Sequence, residues 1–337
     1  MKAVSLFSGA GGLDLGFRQA GFDLVWAVDS YADAVESYRK NISDHIVLAD
    51  LAGVEASSVP HGDVIIGGFP CQGFSVANIT RSSEDGRNKL YLEFVRILRN
   101  IRPQFFLAEN VKGILSLADG VVFQEILADF AKVGYTVAYS LLNAADYGVP
   151  QSRQRVFLLG AREDVACDLS AFPPVRTHAD SSEAAALGLS PWIGVGDALA
   201  DVPEPDAEHD LPNHDGYSRY KLRFNGYLGH RRINPAMPSP TLTARGDDRG
   251  GVVVLHHPDN HRRISPREAA RIQGFPDWFA FAGTRTSAYR QIANAVPPPL
   301  ARAVAASILD CASGSSESAI AHGSRLEAEH PIQPSLL

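Results

Sequence analysis

Along the first 160 residues, short runs that are almost continuously apolar alternate with segments whose apolar positions recur every three or four residues. KAVSLF (2–7), DLVWAVD (23–29), HIVLAD (45–50), DVIIGG (63–68), QFFLAEN (104–110), VAYSLLN (137–143) and RVFLLG (155–160) read as strands. LDLGFRQAG, ADAVESYRK, LYLEFVRILRN and FQEILADFAKVG, between them, read as helices. Strands that are apolar on both faces belong in a sheet covered by helices on both sides. Strand–helix alternation therefore predicts an α/β domain with a doubly wound, mostly parallel sheet.

The pattern stops near residue 170. Residues 172–260 are dense in Pro, Gly, Asp and His and show few periodic stretches, which predicts a second, smaller, loop-rich domain. SPREAARIQGF then starts a helix, with Ser265 as N-cap and Pro266 in the first helical position. PPPLARAVAASILDC reads as a closing helix with its prolines at the start. We expect one domain over 1–171, completed by 283–312, a second over 172–282, and a disordered polar tail over 313–337.

Composition changes this picture little. Of 337 residues, 45% are hydrophobic and 20% charged, as in an ordinary soluble protein. The longest apolar runs are too short to span a bilayer, so no membrane association is expected. The N-terminal stretch breaks into glycines before a signal-peptide core could form. Three cysteines, at 71, 167 and 311, suggest no disulfide framework, and a cytoplasmic setting is the default.

The net charge of −7 argues mildly against a nucleic-acid partner, but its distribution is uneven. Residues 197–215 hold seven acidic residues and no Lys or Arg, whereas 219–267 hold ten Lys/Arg against Asp247, Asp248 and Asp259. The basic block suits an irregular recognition surface. The acidic stretch has no evident role in the sequence.

Chemistry concentrates at strand ends. FSGAGGLDLGF (7–17) is a glycine-rich first βα turn, in which Gly9, Gly11 and Gly12 let the backbone approach a ligand at a helix N-terminus. Asp14 occupies the position where a dinucleotide fingerprint has its third glycine. Asp29 and Asp50 end the second and third strands, where carboxylates accept hydrogen bonds from ribose hydroxyls. An adenosine-containing cofactor follows, either nicotinamide-based or S-adenosylmethionine. Cys71 sits just past DVIIGG in FPCQGFS, among glycines at the ligand edge, where a thiol is presented rather than packed. Glu109 ends QFFLAEN, a position costly for a carboxylate unless it is paired or functional. In QSRQRV, Gln151, Arg153 and Arg155 alternate and would share one face of a strand.

FSGAGGLDLGF, GGFPCQGFS, ENV, QSRQRVFLLG, RRISPREAARIQGFPDWF and YRQIANAVPPPLARAV together resemble the ordered motif set of the C5-cytosine DNA methyltransferases of bacterial restriction–modification systems. The resemblance covers nearly the whole chain outside 172–260 and the tail. It implies a Rossmann-like S-adenosylmethionine-dependent fold, with S-adenosylhomocysteine as product and no metal. Cys71 would be the nucleophile that adds to cytosine C6, Glu109 would hold N3 and the exocyclic amine, and Arg153 and Arg155 would stabilise negative charge. Phe7, Gly9, Gly11, Gly12, Asp29, Asp50, Leu51, Pro70, Leu90, Asn294 and Val296 match the cofactor contacts. The target base would be flipped out of double-stranded DNA under a loop over 72–89 containing Gln72, Ser75, Arg81 and Arg87. Arg219, Arg223, Arg231, Arg232, Arg245 and Arg249 would meet phosphates or guanines. Thr241 and Thr243 fall in PSPTLTARG, which resembles the end of the recognition region. A monomer is expected, with a cognate restriction endonuclease acting on the same site.

Rival readings explain less. A nicotinamide-dependent oxidoreductase accounts for GAGG and Asp29 but not for Pro-Cys-Gln, Glu-Asn-Val or Gln-x-Arg-x-Arg. A tRNA methyltransferase with the same core would carry a Cys-Phe-Thr signature, and residues 172–260 contain no cysteine. An inactive DNA-binding module would not need Cys71, Glu109 and both arginines.

Overall fold

In a computed structural model of the protein, residues 1–70, 89–217, 222–226, 230–244, 252–259 and 261–314 are described. Cys71, Gln72, Ser75, Arg81, Arg87, Arg219, Arg245, Arg249 and the tail from 315 onward lie outside the described residues.

The apolar runs become β1 (Lys2–Leu6), β2 (Asp23–Asp29), β3 (Ile46–Leu48), β4 (Val64–Gly67), β5 (Phe105–Val111), β6 (Tyr135–Asn143), β7 (Gln151–Ser152) and β8 (Gln154–Arg162). All but β7 join one sheet in the order β3-β2-β1-β4-β5-β8-β6. β1 to β5 pair in parallel, as the expected mostly parallel sheet requires. β8 runs antiparallel to both β5 and β6. Only a short connection separates β6 from β8, too little chain for a crossover helix, so the strand must return antiparallel. The third strand is shorter than HIVLAD suggests, because Val47 and Leu48 sit exposed at the sheet edge.

The helices are α1 (Gly12–Gln19), α2 (Ala32–Asn41), α3 (Lys89–Ile101), α4 (Val121–Lys132), α5 (Ser181–Leu187), α6 (Val195–Leu199), α7 (Pro266–Ile272), α8 (Arg285–Asn294) and α9 (Pro298–Ser313). Side-chain alternation along the strands divides the core in two. Ala3, Ile66, Leu107 and Leu159 pack with Phe17 of α1 and Val304 of α9. Val4, Ile65, Phe106 and Leu158 pack with Phe94 of α3 and Phe130 of α4. A third cluster joins Ala10 and Leu15 of the first turn and helix to Val195, Leu242, Ile272, Phe279 and Ile292.

The chain's last helix is therefore part of the first core. Gly16 makes this contact possible, since a Cβ there would lie 2.4 Å from Ala301 Cβ and 2.6 Å from Arg302 N. Gly12 performs the same service one turn earlier, facing the Val296 carbonyl at 2.4 Å. By length and composition the segment Arg285–Ser313 could cross a membrane, contrary to the sequence reading, but it is broken between α8 and α9 and 61% of its apolar window is buried inside the protein.

α7 starts as its sequence dictates. Ser265 Oγ accepts from Glu268 N at 3.1 Å, the Glu268 carboxylate accepts from Ser265 N at 2.7 Å, and Pro266 takes the first position, forming a reciprocal cap. Two residues of the acidic stretch find partners here. Asp201 pairs with Arg271, and Glu204 pairs with Arg262, which also makes a two-pronged contact with Glu268 at 2.7 and 2.8 Å. Arg267 is fully buried and donates to the carbonyls of Pro212, Pro276 and Phe279. Part of the basic block is thus structural.

Because Gly16 contacts backbone as well as a methyl group, Gly16→Ala should force α1 and α9 apart. A loss of about 1–3 kcal/mol is expected for such overpacking, read from urea unfolding. A stability unchanged within error would show that the interface yields freely.

Candidate active site

At the C-terminal ends of β1, β2, β4 and β5 the chain borders a cavity of about 660 Å³. This is the edge at which open α/β sheets bind ligands. Its wall draws on residues from 5 to 296. Phe7, Gly9, Gly12, Asp29, Asp50, Leu51, Pro70, Leu90, Asn294 and Val296 all lie on it, as do Glu109, Arg153 and Arg155. Gly11 does not. It has φ +92°, and a Cβ there would meet Ile42 Cδ1 at 2.2 Å and Tyr38 Cδ2 at 2.9 Å, so its hydrogen side chain serves packing against α2.

The glycine turn is held by the acid after β2. Gly9 N donates to Asp29 Oδ2 and Tyr31 N to Oδ1, both at 2.8 Å. Burial raises the Asp29 carboxyl above its usual range, against the lowering effect of the Tyr31, Gly9 and Ser30 amides. Phe7 adopts φ +55° and Gly9 the same value, which brings the loop backbone round to the cavity. Asp50 is exposed and uses Oδ1 to cap the short turn that follows, accepting from Ala52 N at 3.0 Å.

At the other end lies a buried charge cluster. Arg155 Nε pairs with Glu109 Oε1 at 3.0 Å, the two side chains being 13% and 12% exposed. The register explains the pair. Glu109 stands opposite Phe157 and Val111 opposite Arg155, so Arg155 is the diagonal same-face neighbour of Glu109. Burial raises the Glu109 carboxyl, while Arg155 and then Arg153 pull it back. Arg153 is pushed down to about 9 by burial and by Arg155, with Glu109 opposing. Its Nη1 donates to the Leu242 carbonyl at 3.1 Å, and its Nε has no hydrogen-bond partner.

Gly68 admits the carboxylate to this place, since a Cβ would lie 2.8 Å from Glu109 Oε2. Asn110, from the same strand end, donates Nδ2 to the Phe69 carbonyl at 3.0 Å and so fixes the approach to residue 70. Asn110 belongs to the Glu-Asn-Val motif but was not singled out by its chemistry.

Gln151, Arg153 and Arg155 alternate in burial with the exposed Ser152 and Gln154, as one shared face requires. β7 ends before Arg153 and pairs with Ser239–Pro240. Gln151 accepts from Leu242 N at 3.0 Å through Oε1 and donates through Nε2 to Gln273 Oε1, and Gln273 Nε2 donates to the Ala295 carbonyl at 2.6 Å. Both glutamines are fully buried. Gln273 falls in the motif RRISPREAARIQGFPDWF, but nothing in the sequence pairs it with Gln151.

Of the residues expected to meet DNA, Thr241 donates to the Ser152 carbonyl at 2.7 Å, and Thr243 lies on the cavity wall beside Leu242. Arg223, Arg231 and Arg232 are exposed. Arg231 Nε donates to the Gly226 carbonyl at 2.6 Å, and the Arg232 guanidinium sits 4.4 Å from the Phe224 ring centroid.

Two consequences are measurable. Gly68→Ala should displace the Glu109 carboxylate from Arg155, lowering turnover at least tenfold while the melting temperature stays within about 2 °C. An unaltered turnover would show that the carboxylate position is unimportant. Gln273→Leu should orphan the Ala295 carbonyl and leave Gln151 Nε2 only the Ile272 carbonyl at 3.5 Å, at about 1–3 kcal/mol for an orphaned buried group. Chemical denaturation reads the effect, and a neutral result would dismiss the relay as incidental.

A family model described as C-5 cytosine-specific DNA methylase matches residues 1–310. The Type II methyltransferase M.NgoFVII of Neisseria gonorrhoeae is 38% identical over 348 residues, covering 97% of this chain and 91% of the relative. M.FnuDI of Fusobacterium nucleatum, also a Type II methyltransferase, is 38% identical over 325 residues, covering 90% and 93%. Among solved structures, a prophage-encoded candidate DNA modification methyltransferase of E. coli superposes with a TM-score of 0.72 at 26% identity, covering 93% of this chain and 99% of the other. S. pombe Dnmt2 superposes at 0.66 and 20% identity, covering 92% and 97%, a likeness of fold. The match over residues 1–310 and the relatives that span the chain place it in the C-5 cytosine-specific DNA methylase family.

Proposed function

We propose that this DNA cytosine-5-methyltransferase acts on a cytosine flipped out of a specific double-stranded sequence, with Cys71 as nucleophile and the Glu109–Arg155–Arg153 cluster as its activating pocket. The observation that carries the reading is one continuous cavity with Asp29 and the Gly9 turn at one end and the Glu109–Arg155 pair at the other. A nucleoside cofactor and a base can meet only where both kinds of wall are shared.

The family uses S-adenosylmethionine, and the wall suits it. Asp29 and Asp50 present carboxylates suited to ribose hydroxyls, Phe7, Leu51 and Leu90 supply apolar surface, and Asn294 and Val296 close the far side. When bound there, S-adenosylmethionine supplies an electrophilic methyl group.

The protein's residues handle the base. Cytosine C5 is a weak nucleophile. Addition of the Cys71 thiolate at C6 forms a C–S bond and shifts an electron pair towards C5, which then accepts the methyl group. Glu109 holds N3 and the exocyclic amine, with its raised pKa favouring a shared proton at N3 as the adduct forms. Arg155 orients that carboxylate, and Arg153, through its free Nε, offers a donor for negative charge. The methyl transfer would break the sulfonium S–CH3 bond and leave S-adenosylhomocysteine; loss of the C5 proton and expulsion of the thiolate then give 5-methylcytosine, with no metal ion required in any step.

Residues 172–282 serve as the target-recognition part, with 1–171 and 283–312 as the catalytic part. Arg223, Arg231, Arg232, Arg245 and Arg249 contact DNA, and Gln72, Ser75, Arg81 and Arg87 close over the flipped base. The protein works as a monomer in the bacterial cytoplasm, protecting sites from a cognate restriction endonuclease.

The test is transfer of labelled methyl groups to DNA carrying 5-fluorocytosine, comparing the native chain with Cys71→Ser. Fluorine at C5 blocks elimination, so the native chain should form a denaturant-resistant protein–DNA adduct and the variant none. Sequencing the trapped DNA identifies the site. Absence of both adduct and transfer on diverse duplex DNA, with transfer to tRNA instead, would overturn the substrate assignment.

A further inference from the structure

We infer that Asp14 is the counter-ion for the α-ammonium group at the amino-acid end of the cofactor, with the Ser5 hydroxyl as a second acceptor. The inference rests on the reading of the cavity as the S-adenosylmethionine site, and extends it to a residue that no motif role explains.

Asp14 lies in the first turn of α1 and is fully buried. A buried carboxylate is ordinarily matched by a cation or by several donors. This one has half of what it needs. Oδ1 accepts from the Tyr38 hydroxyl at 3.0 Å, and the Tyr38 oxygen also lies 2.9 Å from His45 Nε2. Oδ2 has no partner. Ser5, directly beneath in β1, is also fully buried, and its Oγ has no partner either. Both residues line the cavity, together with Gly9, Gly12 and Asp29.

The electrostatics agree with a missing cation. Burial pushes the Asp14 carboxyl up to about 6; the hydroxyls of Ser5 and Tyr38 oppose that shift, while Asp29 adds repulsion. Only the Tyr38 hydroxyl reaches hydrogen-bond geometry. Three carboxylates, Asp14, Asp29 and Asp50, thus line this end of the cavity, and among the described residues no side-chain cation stands on the wall there, since Arg153 and Arg155 lie at the other end with Glu109.

Asp14 Oδ2, when ionised, can only accept, and the Ser5 hydroxyl can accept as well as donate, so a group that is both donor and cation completes the pair. S-adenosylmethionine has two positive centres. The sulfonium has no hydrogen to donate, whereas the ammonium has three. An ammonium between Asp14 Oδ2 and Ser5 Oγ would satisfy both orphaned atoms at once, and a third donor would remain for a loop carbonyl. A water could bridge the same atoms but would leave the charge unmatched. The position is the one at which Asp14 breaks the glycine spacing of a dinucleotide-binding turn. An acid is retained there because the ligand brings its own cation.

The experiment is equilibrium calorimetry on the full chain with two ligands: S-adenosylhomocysteine, and its analogue with hydrogen in place of the α-amino group. Asp14→Asn is nearly isosteric and keeps an acceptor for Tyr38. It should weaken S-adenosylhomocysteine at least tenfold and change the des-amino analogue less than threefold. Equal weakening of both ligands would make Asp14 a structural residue, and no weakening of either would remove it from the site. Either result overturns the inference while leaving the cofactor assignment standing. Failure of the native chain to bind S-adenosylhomocysteine would remove that assignment itself.

A second measurement needs no variant. A cation beside Asp14 lowers its pKa, so binding near pH 6 should ionise the carboxyl and release protons, seen as a dependence of heat on buffer ionisation. Asp29, Tyr38, His45 and Arg18 are the other ionisable groups around Asp14. Asp29 answers to the ribose end, which both ligands share, so its contribution cancels between them. Greater proton release with S-adenosylhomocysteine than with the des-amino analogue supports the assignment. Identical release overturns it.

Discussion

A pair of buried amides holds the site together. Gln151 and Gln273 form a relay from the Leu242 amide to the Ala295 carbonyl, and each end of that relay is cavity wall. Four stretches far apart in sequence are fixed relative to one another by side chains with no charge. A glutamine suits this task because its amide carries a donor and an acceptor at fixed separation, so one residue can accept from one strand and donate to the next. Buried in a low-dielectric setting, such a chain is strong when complete and expensive when broken. The C-terminal segment can therefore return to α1 in one position only, with Gly12 and Gly16 shaping the contact.

Charged groups in the cavity follow a shared logic. Each first fixes its own loop or strand and keeps some bonding capacity in reserve. Asp29 uses both oxygens on the Gly9 and Tyr31 amides, yet each oxygen retains a lone pair. Arg153 spends Nη1 on the Leu242 carbonyl and leaves Nε without a partner. Arg155 holds Glu109 in a pair whose two members are both nearly buried. Groups placed this way need little reorganisation when a ligand arrives, which is what an electrostatic catalyst requires. Gly68 is the steric counterpart, a missing methyl that lets the carboxylate stand where it does.

Much of this was legible in the sequence, and the parts that were not share a cause. Continuous apolar runs gave the strands of the sheet, and Ser265-Pro266 gave the start of α7, because those signals are local. The reversal of β8 was hidden, since an antiparallel central strand is as apolar as a parallel one. Arg153 and Arg155 stood out as charges running into an apolar strand. Gln151 alternates with them in burial, and it and Arg153 both bond Leu242. Asp14 and Gln273 fall inside recognisable motifs, but their roles come from partners more than twenty residues distant, such as Tyr38, Gln151 and Ala295. Gly11 was read as a ligand glycine and turns out to face Tyr38 and Ile42.

The net charge of −7 is reconciled with a DNA substrate by the same kind of long-range pairing. Asp201 and Glu204 face Arg271 and Arg262, and Arg267 is buried among carbonyls. Asp201 and Glu204 are themselves exposed, and their pairing with Arg271 and Arg262 offsets part of their charge at the surface. Arg223, Arg231 and Arg232 remain exposed. A polyanion responds to charge within about 10 Å at ordinary salt rather than to the total. A surface with a few unmatched guanidinium groups can attract DNA while the protein as a whole stays acidic. Pairing Asp201 and Glu204 with α7 and its approach does structural work.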